Sequence, residues 1–221
     1  MQIRCSNCFQ EYEADYGVCP YCGYSEGDAT AEAYCLTPGT EIAGRYTIGR
    51  MLGLGGFGIT YQAWDQKLET VMAVKEYYPS GLVNRLPGQA GVMLVASKRE
   101  EEFRYGKERF LEEARNLARF NTHPNIVNVY DFFEANNTAY IVMEFLDGQT
   151  LSKFLQQSGA PLPWERCLEL AQDVCAALSA LHAQNILHRD VSPDNIFLCR
   201  NGAVKLIDFG AARFASDQGS P

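Results

Sequence analysis

The sequence has no long hydrophobic run and no excess of positive charge. No apolar stretch approaches the ~20 residues that a helix needs to cross a bilayer, and the N-terminus has neither the basic start nor the apolar core of a signal peptide. Lys and Arg number 19 against 27 Asp and Glu, so the formal net charge is -8. Nucleic acids and anionic membranes are bound by clustered Lys and Arg. We therefore expect a cytoplasmic protein with no nucleic-acid partner and no membrane segment in this chain.

Cysteine is sparse everywhere except at the N-terminus. Four of the eight cysteines lie in the first 22 residues, as Cys5-x2-Cys8-x10-Cys19-x2-Cys22. In a reducing compartment, paired CxxC motifs hold metal more often than they form disulfides. Two such motifs can arrange four thiolates as a tetrahedron around one structural Zn²⁺, and a unit this small needs the metal to fold. Residues 1–24 are therefore predicted to be a zinc ribbon, with two disulfides or redox thiols as the alternative. Its tyrosines either cover the metal site or offer a face to a protein partner.

The rest of the chain is predicted to start with a β-rich region. Residues 25–41 are predicted to be a linker, because their first part is small and acidic. From residue 45, three short β runs surround a glycine-rich turn, a helical repeat follows from Glu108, and two further β runs cover 126–133 and 139–145. This order predicts a five-stranded antiparallel sheet with one helix. Residues 77–107 are too broken by Pro and Gly for a single helix and are predicted to be an insertion.

Beyond Gly148 the pattern becomes helical. Apolar residues recur at helical spacing from Leu168 to His182 and predict one buried stripe. Asn201-Gly202 then separates two short β runs, which is a strong hairpin signal. Such a hairpin would hold Asn195 and Asp208 at its two outer ends.

Four motifs contain the candidate functional residues, and the order in which they occur along the chain helps to identify a family. The glycine-rich stretch Gly53-Leu54-Gly55-Gly56-Phe57-Gly58 lies between strands, where backbone amides can approach phosphate oxygens. Lys75 ends the next β run, in Met72-Ala73-Val74-Lys75. Further on, His188-Arg189-Asp190-Val191-Ser192-Pro193-Asp194-Asn195 precedes Asp208-Phe209-Gly210. Together these motifs resemble those of the eukaryotic-like serine/threonine protein kinases of bacteria.

The resemblance implies an α+β, protein-kinase-like fold after the zinc ribbon. It places an N-lobe at 42–146 and an incomplete helical C-lobe at 147–221, because the sequence stops at Pro221, soon after Gly210. We expect a kinase domain truncated after this motif. The implied activity is ATP- and Mg²⁺-dependent transfer of the γ-phosphoryl group to a serine or threonine hydroxyl of a protein substrate. The alternative is a non-catalytic ATP-binding or scaffolding module, a pseudokinase or fragment, whose zinc ribbon mediates interactions.

The resemblance also assigns catalytic roles. Asp190 would orient the substrate hydroxyl and accept its proton, while Asn195 and Asp208 would hold Mg²⁺. Lys75 would contact the α- and β-phosphates, with Glu113 as its predicted partner. Glu112 is the alternative partner, but it lies on a different helix face.

The resemblance also gives expectations for two further residues. His188 is expected to pack against Phe209 as a structural residue. Ser192 stands where these kinases usually carry a lysine that contacts the γ-phosphate. The absence of this lysine is expected to lower the rate of phosphoryl transfer more than the affinity for ATP.

The nucleotide site implied by the resemblance combines the glycine-rich turn with apolar walls and a hinge. Backbone groups of Glu144 and Leu146 would meet adenine, and Met143 would lie at the rear of the adenine site. The full predicted set is Leu52, Gly53, Leu54, Gly55, Gly56, Phe57, Gly58, Thr60, Ala73, Lys75, Met143, Glu144, Leu146 and Phe197.

Overall fold

A computed structural model describes residues 2–27, 32–56 and 58–209, together with the backbone of Arg213 and Phe214. The chain divides into two compact units. The first unit comprises Met1–Glu112 and Tyr130–Phe145, and the second comprises Glu113–Val129 and Leu146–Pro221.

The first unit is built around an antiparallel sheet of six strands in the order β3-β4-β5-β6-β10-β9. Its central strand β5 buries Ile59, Tyr61 and Ala63 at alternate positions, as a strand with an apolar face does. The elements are β1 (Gln2–Arg4), β2 (Glu11–Glu13), β3 (Glu41–Ile42), β4 (Tyr46–Gly55), β5 (Gly58–Asp65), β6 (Thr70–Tyr77), β7 (Val83–Arg85), β8 (Val92–Leu94), α1 (Glu100–Leu117), β9 (Val129–Ala135) and β10 (Thr138–Glu144).

The sheet contains the five predicted strands and one more. The sixth is β3, whose two residues pair with Thr47 and Tyr46 of β4. Such a short strand has no periodicity that sequence reasoning could detect. The turn between β9 and β10 contains Asn136 and Asn137, which both have positive φ, at 53° and 60°. This is the backbone that a type I′ hairpin turn requires.

The insertion is more ordered than its glycines and prolines suggest. Strands β7 and β8 pair as a hairpin, and α1 begins at Glu100 instead of Glu108. Three glutamates in the first turn favour this earlier start, because carboxylates stabilise the positive end of a helix dipole. Gly106 lies inside the helix because a Cβ there would fall 2.0 Å from the hydroxyl oxygen of Tyr77. Tertiary packing therefore explains a residue that reads as a helix breaker.

A buried ion pair ties the insertion hairpin to the main sheet. The Arg85 guanidinium of β7 bonds to the Glu76 carboxylate of β6, and both side chains are almost fully buried. Glu76 also accepts hydrogen bonds from Tyr140 at 2.8 Å and Tyr61 at 3.2 Å. Arg85 donates to the carbonyl oxygen of Tyr34 at 2.6 Å. Burial raises the pKa of Glu76, while Arg85 and the two phenols act in the opposite direction. Every partner in this network is needed to satisfy the buried charges.

Replacing Arg85 with Ala is expected to lower the free energy of unfolding by about 3–5 kcal/mol, because it leaves the Glu76 carboxylate buried without its cation. Urea unfolding of the two proteins measures the difference. Arg99→Ala is the matched control, since Arg99 pairs with Glu102 at the surface and its loss should leave the unfolding free energy nearly unchanged. Equal stability of the two variants would contradict the role assigned to the network.

In the part of the second unit that the structure describes, there are a three-stranded sheet in the order β11-β13-β14, the helices α2 and α3 and a short strand pair. The predicted hairpin across Asn201-Gly202 is confirmed, with Ile196 opposite Leu206, whereas its neighbour β11 is an element that the sequence did not predict. The elements are β11 (Gly148–Thr150), α2 (Leu151–Ser158), α3 (Trp164–Ala183), β12 (Ile186–Leu187), β13 (Ile196–Cys199), β14 (Val204–Leu206) and β15 (Arg213–Phe214).

The predicted apolar stripe of α3 coincides only in part with its buried face, since Leu181 belongs to both. The buried residues are Leu170, Ala177 and Leu181, whereas Leu168 is 51% exposed and His182 is exposed. Apolar side chains occupy two sides of this helix, so periodicity alone could not select the side that packs. Among the described residues, no helix combines the length and apolar composition that crossing a bilayer requires.

Candidate functional site

Asp190 and Asn195 are held together by the loop that carries both. Asn195 is buried at the end of a short 3-10 turn, directly before β13. Its side-chain nitrogen donates to the main-chain oxygen and to Oδ2 of Asp190, both at 2.9 Å. Asp190 itself is exposed. The loop therefore presents a carboxylate to solvent in an orientation set by a buried amide.

The second predicted acid, Asp208, follows strand β14 at the other end of the hairpin. The main-chain N–H of Ile207 donates to the oxygen of Asn195 at 2.9 Å, which extends the ladder one step beyond the paired strands. Asn195 and Asp208 therefore lie at neighbouring outer ends of one hairpin, as the sequence predicted.

Backbone strain marks both acidic motifs. Arg189, beside Asp190, has φ of 67°, and Asp208 has φ of 60°. This left-handed region is uncommon for residues with a side chain and costs on the order of 1–3 kcal/mol where the surrounding structure enforces it. Such strain tends to cluster at functional sites, and here it coincides with the two predicted acids.

His188 has the structural position that the sequence predicted. Its ring lies 4.6 Å from that of Phe209, and its side chain is almost fully buried. Burial lowers the pKa of His188 below its usual value, which favours the neutral imidazole. The Nδ1 atom accepts a hydrogen bond from the main-chain N–H of Asp190 at 3.3 Å. The histidine thus supports the loop through its ring contact and its hydrogen bond.

Glu113, also in the second unit, contacts the Asp-Phe-Gly motif. Its Oε1 accepts a hydrogen bond from the main-chain N–H of Phe209 at 3.3 Å. The neighbouring Glu112 is instead paired with Arg109, one turn away on the same helix, at 2.8 Å. The arrangement favours Glu113 over Glu112 as the functional acid, and its pairing with Lys75 stays a prediction.

In the first unit, the glycine-rich turn (residues 53–58, the glycine loop) connects β4 to β5. Gly58 permits close strand packing, because a Cβ there would lie 2.2 Å from the main-chain oxygen of Glu76. A Cβ at Gly53 or Gly56 would meet nothing within 4 Å in the described part of the chain. Leu52 and Leu54 are 41% and 53% exposed. The backbone of this loop is accessible from outside, while Phe57 lies outside the described residues.

Four of the predicted nucleotide-site residues share one face of the first unit's sheet. Thr60 lies opposite Lys75, and Met143 lies opposite Ala73. Since directly opposed residues and residues two apart on a strand point the same way, all four side chains share a face. The Lys75 ammonium lies 5.9 Å from the ring centroid of Phe110 on α1. Glu144 occupies the alternate position at the end of β10, opposite Met72.

Two predicted adenine-site residues belong to the second unit. Leu146 is half-buried where the second segment of this unit begins, and Phe197 is half-buried on β13, opposite Lys205 and Thr150.

Comparison with known proteins identifies the family. Residues 46–220 match the family model described as the protein kinase domain. The chain belongs to the protein kinase family.

Similar proteins include bacterial serine/threonine kinases. This kinase domain is 37% identical over 189 residues to the serine/threonine-protein kinase PknB of Mycobacterium leprae, covering 84% of this chain and 27% of PknB. It is 35% identical over 176 residues to PknD of Mycobacterium tuberculosis, covering 80% of this chain and 23% of PknD. The chain thus spans about a quarter of the length of these relatives.

The solved structure "PpkA-294 apo form" superposes with a TM-score of 0.73 at 35% identity, covering 80% of this chain and 62% of that one. The predicted α+β, protein-kinase-like fold is confirmed.

A second candidate site lies ahead of the kinase domain, in the N-terminal ribbon. The sulfur atoms of Cys5, Cys8, Cys19 and Cys22 all lie within 4.8 Å of one another. The Sγ atoms of Cys5 and Cys22 lie 3.6 Å apart, and those of Cys8 and Cys19 lie 3.7 Å apart. A tetrahedron with Zn–S bonds of about 2.3 Å has edges of about 3.8 Å. Burial raises the pKa of Cys8, an effect that a central cation would offset. The spacing fits a four-thiolate metal site.

The backbone around the cysteines supports the same conclusion. Phe9 N–H donates to the oxygen of Cys5 at 2.9 Å, and Gly23 N–H donates to that of Cys19 at 2.8 Å. Phe9 and Gly23, each directly after the second cysteine of a pair, both have left-handed backbone, with φ of 62° and 72°. Residues 5–9 (the first knuckle) and residues 19–23 (the second knuckle) are therefore two copies of one turn.

The domain boundaries inferred from composition stay predictions, although part of the predicted linker is packed. Cys35 and Leu36 are buried, and the N–H of Leu36 donates to the hydroxyl of Tyr61 at 3.1 Å.

The contact of the ribbon with β4 and β5, which involves Gly49 and Gln62, was not predicted from the sequence. The available signal was Gly49 itself, because a lone glycine within a strand marks a bulge or a close backbone approach.

Proposed function

We propose that this kinase domain transfers the γ-phosphoryl group of ATP to a serine or threonine hydroxyl of a protein substrate, with Mg²⁺ as cofactor. The observation that carries the proposal is the double hydrogen bond from Asn195 to Asp190. It orients an exposed carboxylate as a proton acceptor and couples it to the residue proposed to bind metal. The names of the bacterial relatives support serine/threonine specificity.

Each proposed catalytic residue has a separate task. Asp190 receives the proton of the attacking hydroxyl, and Asn195 holds its carboxylate in place. Asn195 and Asp208 offer oxygen atoms of the kind that Mg²⁺ prefers, and the metal, when bound, neutralises charge on the phosphates. Lys75 adds a fixed positive charge, and Glu113 is proposed to orient it. Catalysis in such a site rests on positioning and charge stabilisation more than on covalent chemistry.

The proposed nucleotide contacts combine backbone groups with apolar side chains. The backbone of the glycine loop would bind phosphate oxygens through its accessible N–H groups. The shared face that carries Thr60, Ala73 and Met143 would contact adenine, and main-chain groups of Glu144 and Leu146 would bond its edge. Leu52 and Phe197 would complete the apolar walls.

We propose that the ribbon binds one structural Zn²⁺ through Cys5, Cys8, Cys19 and Cys22. Four thiolates close the coordination sphere, so the metal would stabilise the ribbon and would not activate water. Reduced thiols fit a cytoplasmic location. The exposed side chains of Tyr16, Val18 and Tyr21 suit contact with a protein partner.

Incorporation of labelled γ-phosphate into a mixture of serine- and threonine-containing peptides tests the proposed activity. We expect incorporation that requires Mg²⁺ and saturates with ATP. Calorimetric titration with ATP and Mg²⁺ on the same sample separates the alternatives. Binding without incorporation would indicate the non-catalytic nucleotide-binding module, and absence of both would contradict the proposal.

A further inference from the structure

The first knuckle packs on the two strands that lead into and out of the glycine loop. Strands β4 and β5 change register there, because Ile48 lies opposite Ala63 whereas Met51 lies opposite Tyr61. Two residues of β4 thus oppose the single residue Gln62. This arrangement is a β-bulge, which bends a strand and increases its local twist.

The extra N–H group of the bulge is satisfied by the ribbon. Arg50 N–H donates to the main-chain oxygen of Asn7 at 2.9 Å. Asn7 lies between the two cysteines of the first knuckle. Because an unpaired backbone group in a packed interface costs about as much as a lost hydrogen bond, the knuckle stabilises the bulge directly.

Gln62, on the opposite strand, binds both sides of this interface. Its side-chain nitrogen donates to the main-chain oxygen of Cys8 at 3.4 Å, and its side-chain oxygen accepts from Nε of Arg50 at 2.8 Å. Gln62 is only 5% exposed. A buried amide with partners on the metal-bearing turn and on the bulge links their positions.

Close packing completes the contact. A Cβ at Gly49 would lie 2.6 Å from the main-chain oxygen of Asn7 and 2.8 Å from the Phe9 ring. Phe9 is buried, and its ring centroid lies 6.1 Å from that of Trp64 on β5. The Arg4 guanidinium lies 3.7 Å from the centroid of the Trp64 ring. Only glycine at position 49 allows the knuckle to approach this closely.

We infer that the zinc-bound first knuckle is a positioning element for the glycine loop. Metal binding holds Asn7, Cys8 and Phe9 in place, and these residues hold the bulge that sets the twist of β4 and β5 just before Gly53. The inference rests on the proposed binding of Zn²⁺ and ATP. It goes beyond them by making the two sites energetically coupled, with Gly49 and Gln62 as the residues that connect them.

Coupling of this kind is reciprocal. If zinc tightens nucleotide binding by some factor, nucleotide must tighten zinc binding by the same factor. Couplings between distinct sites are typically about 5–150-fold. We expect removal of zinc to weaken binding of a non-hydrolysable ATP analogue with Mg²⁺ by about fivefold or more. The same analogue should lower the equilibrium transfer of zinc to a chromophoric chelator by a matching factor.

Gly49→Ala in the full chain tests the coupling between the zinc site and the nucleotide site without altering a cysteine or the glycine loop. We expect this variant to bind one zinc but to bind the analogue about fivefold more weakly, with zinc transfer no longer sensitive to nucleotide. Gly91→Ala is the matched control, because a Cβ there would make only ordinary contacts, the nearest at 3.8 Å. Gln62→Ala provides a second variant with the same expected loss of coupling if Gly49→Ala does not fold.

The outcomes separate this inference from the proposals beneath it. Wild-type protein without bound zinc would overturn the metal site and the inference together. Zinc-loaded protein that binds no nucleotide would overturn the ATP proposal and the inference together. If the wild type binds both and each affinity is independent of the other ligand, the coupling alone is overturned.

Discussion

Asp190→Asn is expected to lower the rate of phosphoryl transfer by about 10²–10⁴-fold, the contribution that a general base usually makes. Asparagine has nearly the shape of aspartate and keeps the main-chain oxygen and one side-chain oxygen, which accept the two hydrogen bonds of Asn195 at 2.9 Å. The loop should therefore keep its conformation while losing the group that takes the proton. Initial rates of label incorporation measure the effect, and calorimetry should show nucleotide affinity within about twofold of the wild type.

Asp194→Asn is the matched control for this experiment. Asp194 lies on the same short turn as Asn195 and is exposed, so its replacement changes the loop charge equally without removing the proposed base. We expect this control to retain nearly the full rate. Equal incorporation by the wild type and Asp190→Asn would show that the signal does not come from this site.

Removal of zinc is expected to have the largest effect on structure, because metal binding supplies about 10–16 kcal/mol in small structural zinc sites near pH 7. Chelation should unfold residues 1–24 and release Phe9 and Arg4 from Trp64. The chain has two tryptophans, and the other, Trp164, is 71% exposed. In a Trp164→Phe background, a red shift of Trp64 emission on chelation would therefore report the loss of ribbon contacts.

Metal analysis of cysteine variants gives an independent measure. Cys8→Ser is expected to lose most of the single zinc per chain, whereas Cys175→Ser, which changes an exposed cysteine, should retain it. A wild-type mass that shows two disulfides and no metal would favour the disulfide alternative. Full zinc content in Cys8→Ser would exclude the four-cysteine site.

Secondary structure could be predicted where the signal was local. Asn201-Gly202 specified its hairpin because the turn type requires positive φ, which glycine and asparagine adopt easily. The start of α1 could not be predicted, because Gly106 reads as a breaker until Tyr77 is seen to occupy the space of its missing side chain. The buried face of α3 was predicted only in part, because Leu181 of the predicted stripe is buried whereas Leu168 is exposed. Periodicity identifies a helix, but only the neighbouring strands select which apolar side packs.

The candidate sites, like the secondary structure, were determined in part by the sequence and in part by the tertiary structure. The order and spacing of residues alone determined the protein kinase family and located the two acidic motifs and the four-cysteine cluster, because phosphoryl transfer and metal binding each demand particular side chains at short separations. Only the tertiary structure decided that Asn195 orients Asp190, that Glu113 and not Glu112 contacts Phe209, and that the first knuckle satisfies the bulge at Arg50. These contacts depend on backbone atoms and on close packing. Because every residue type has the same backbone atoms, the sequence does not show which of them become partners.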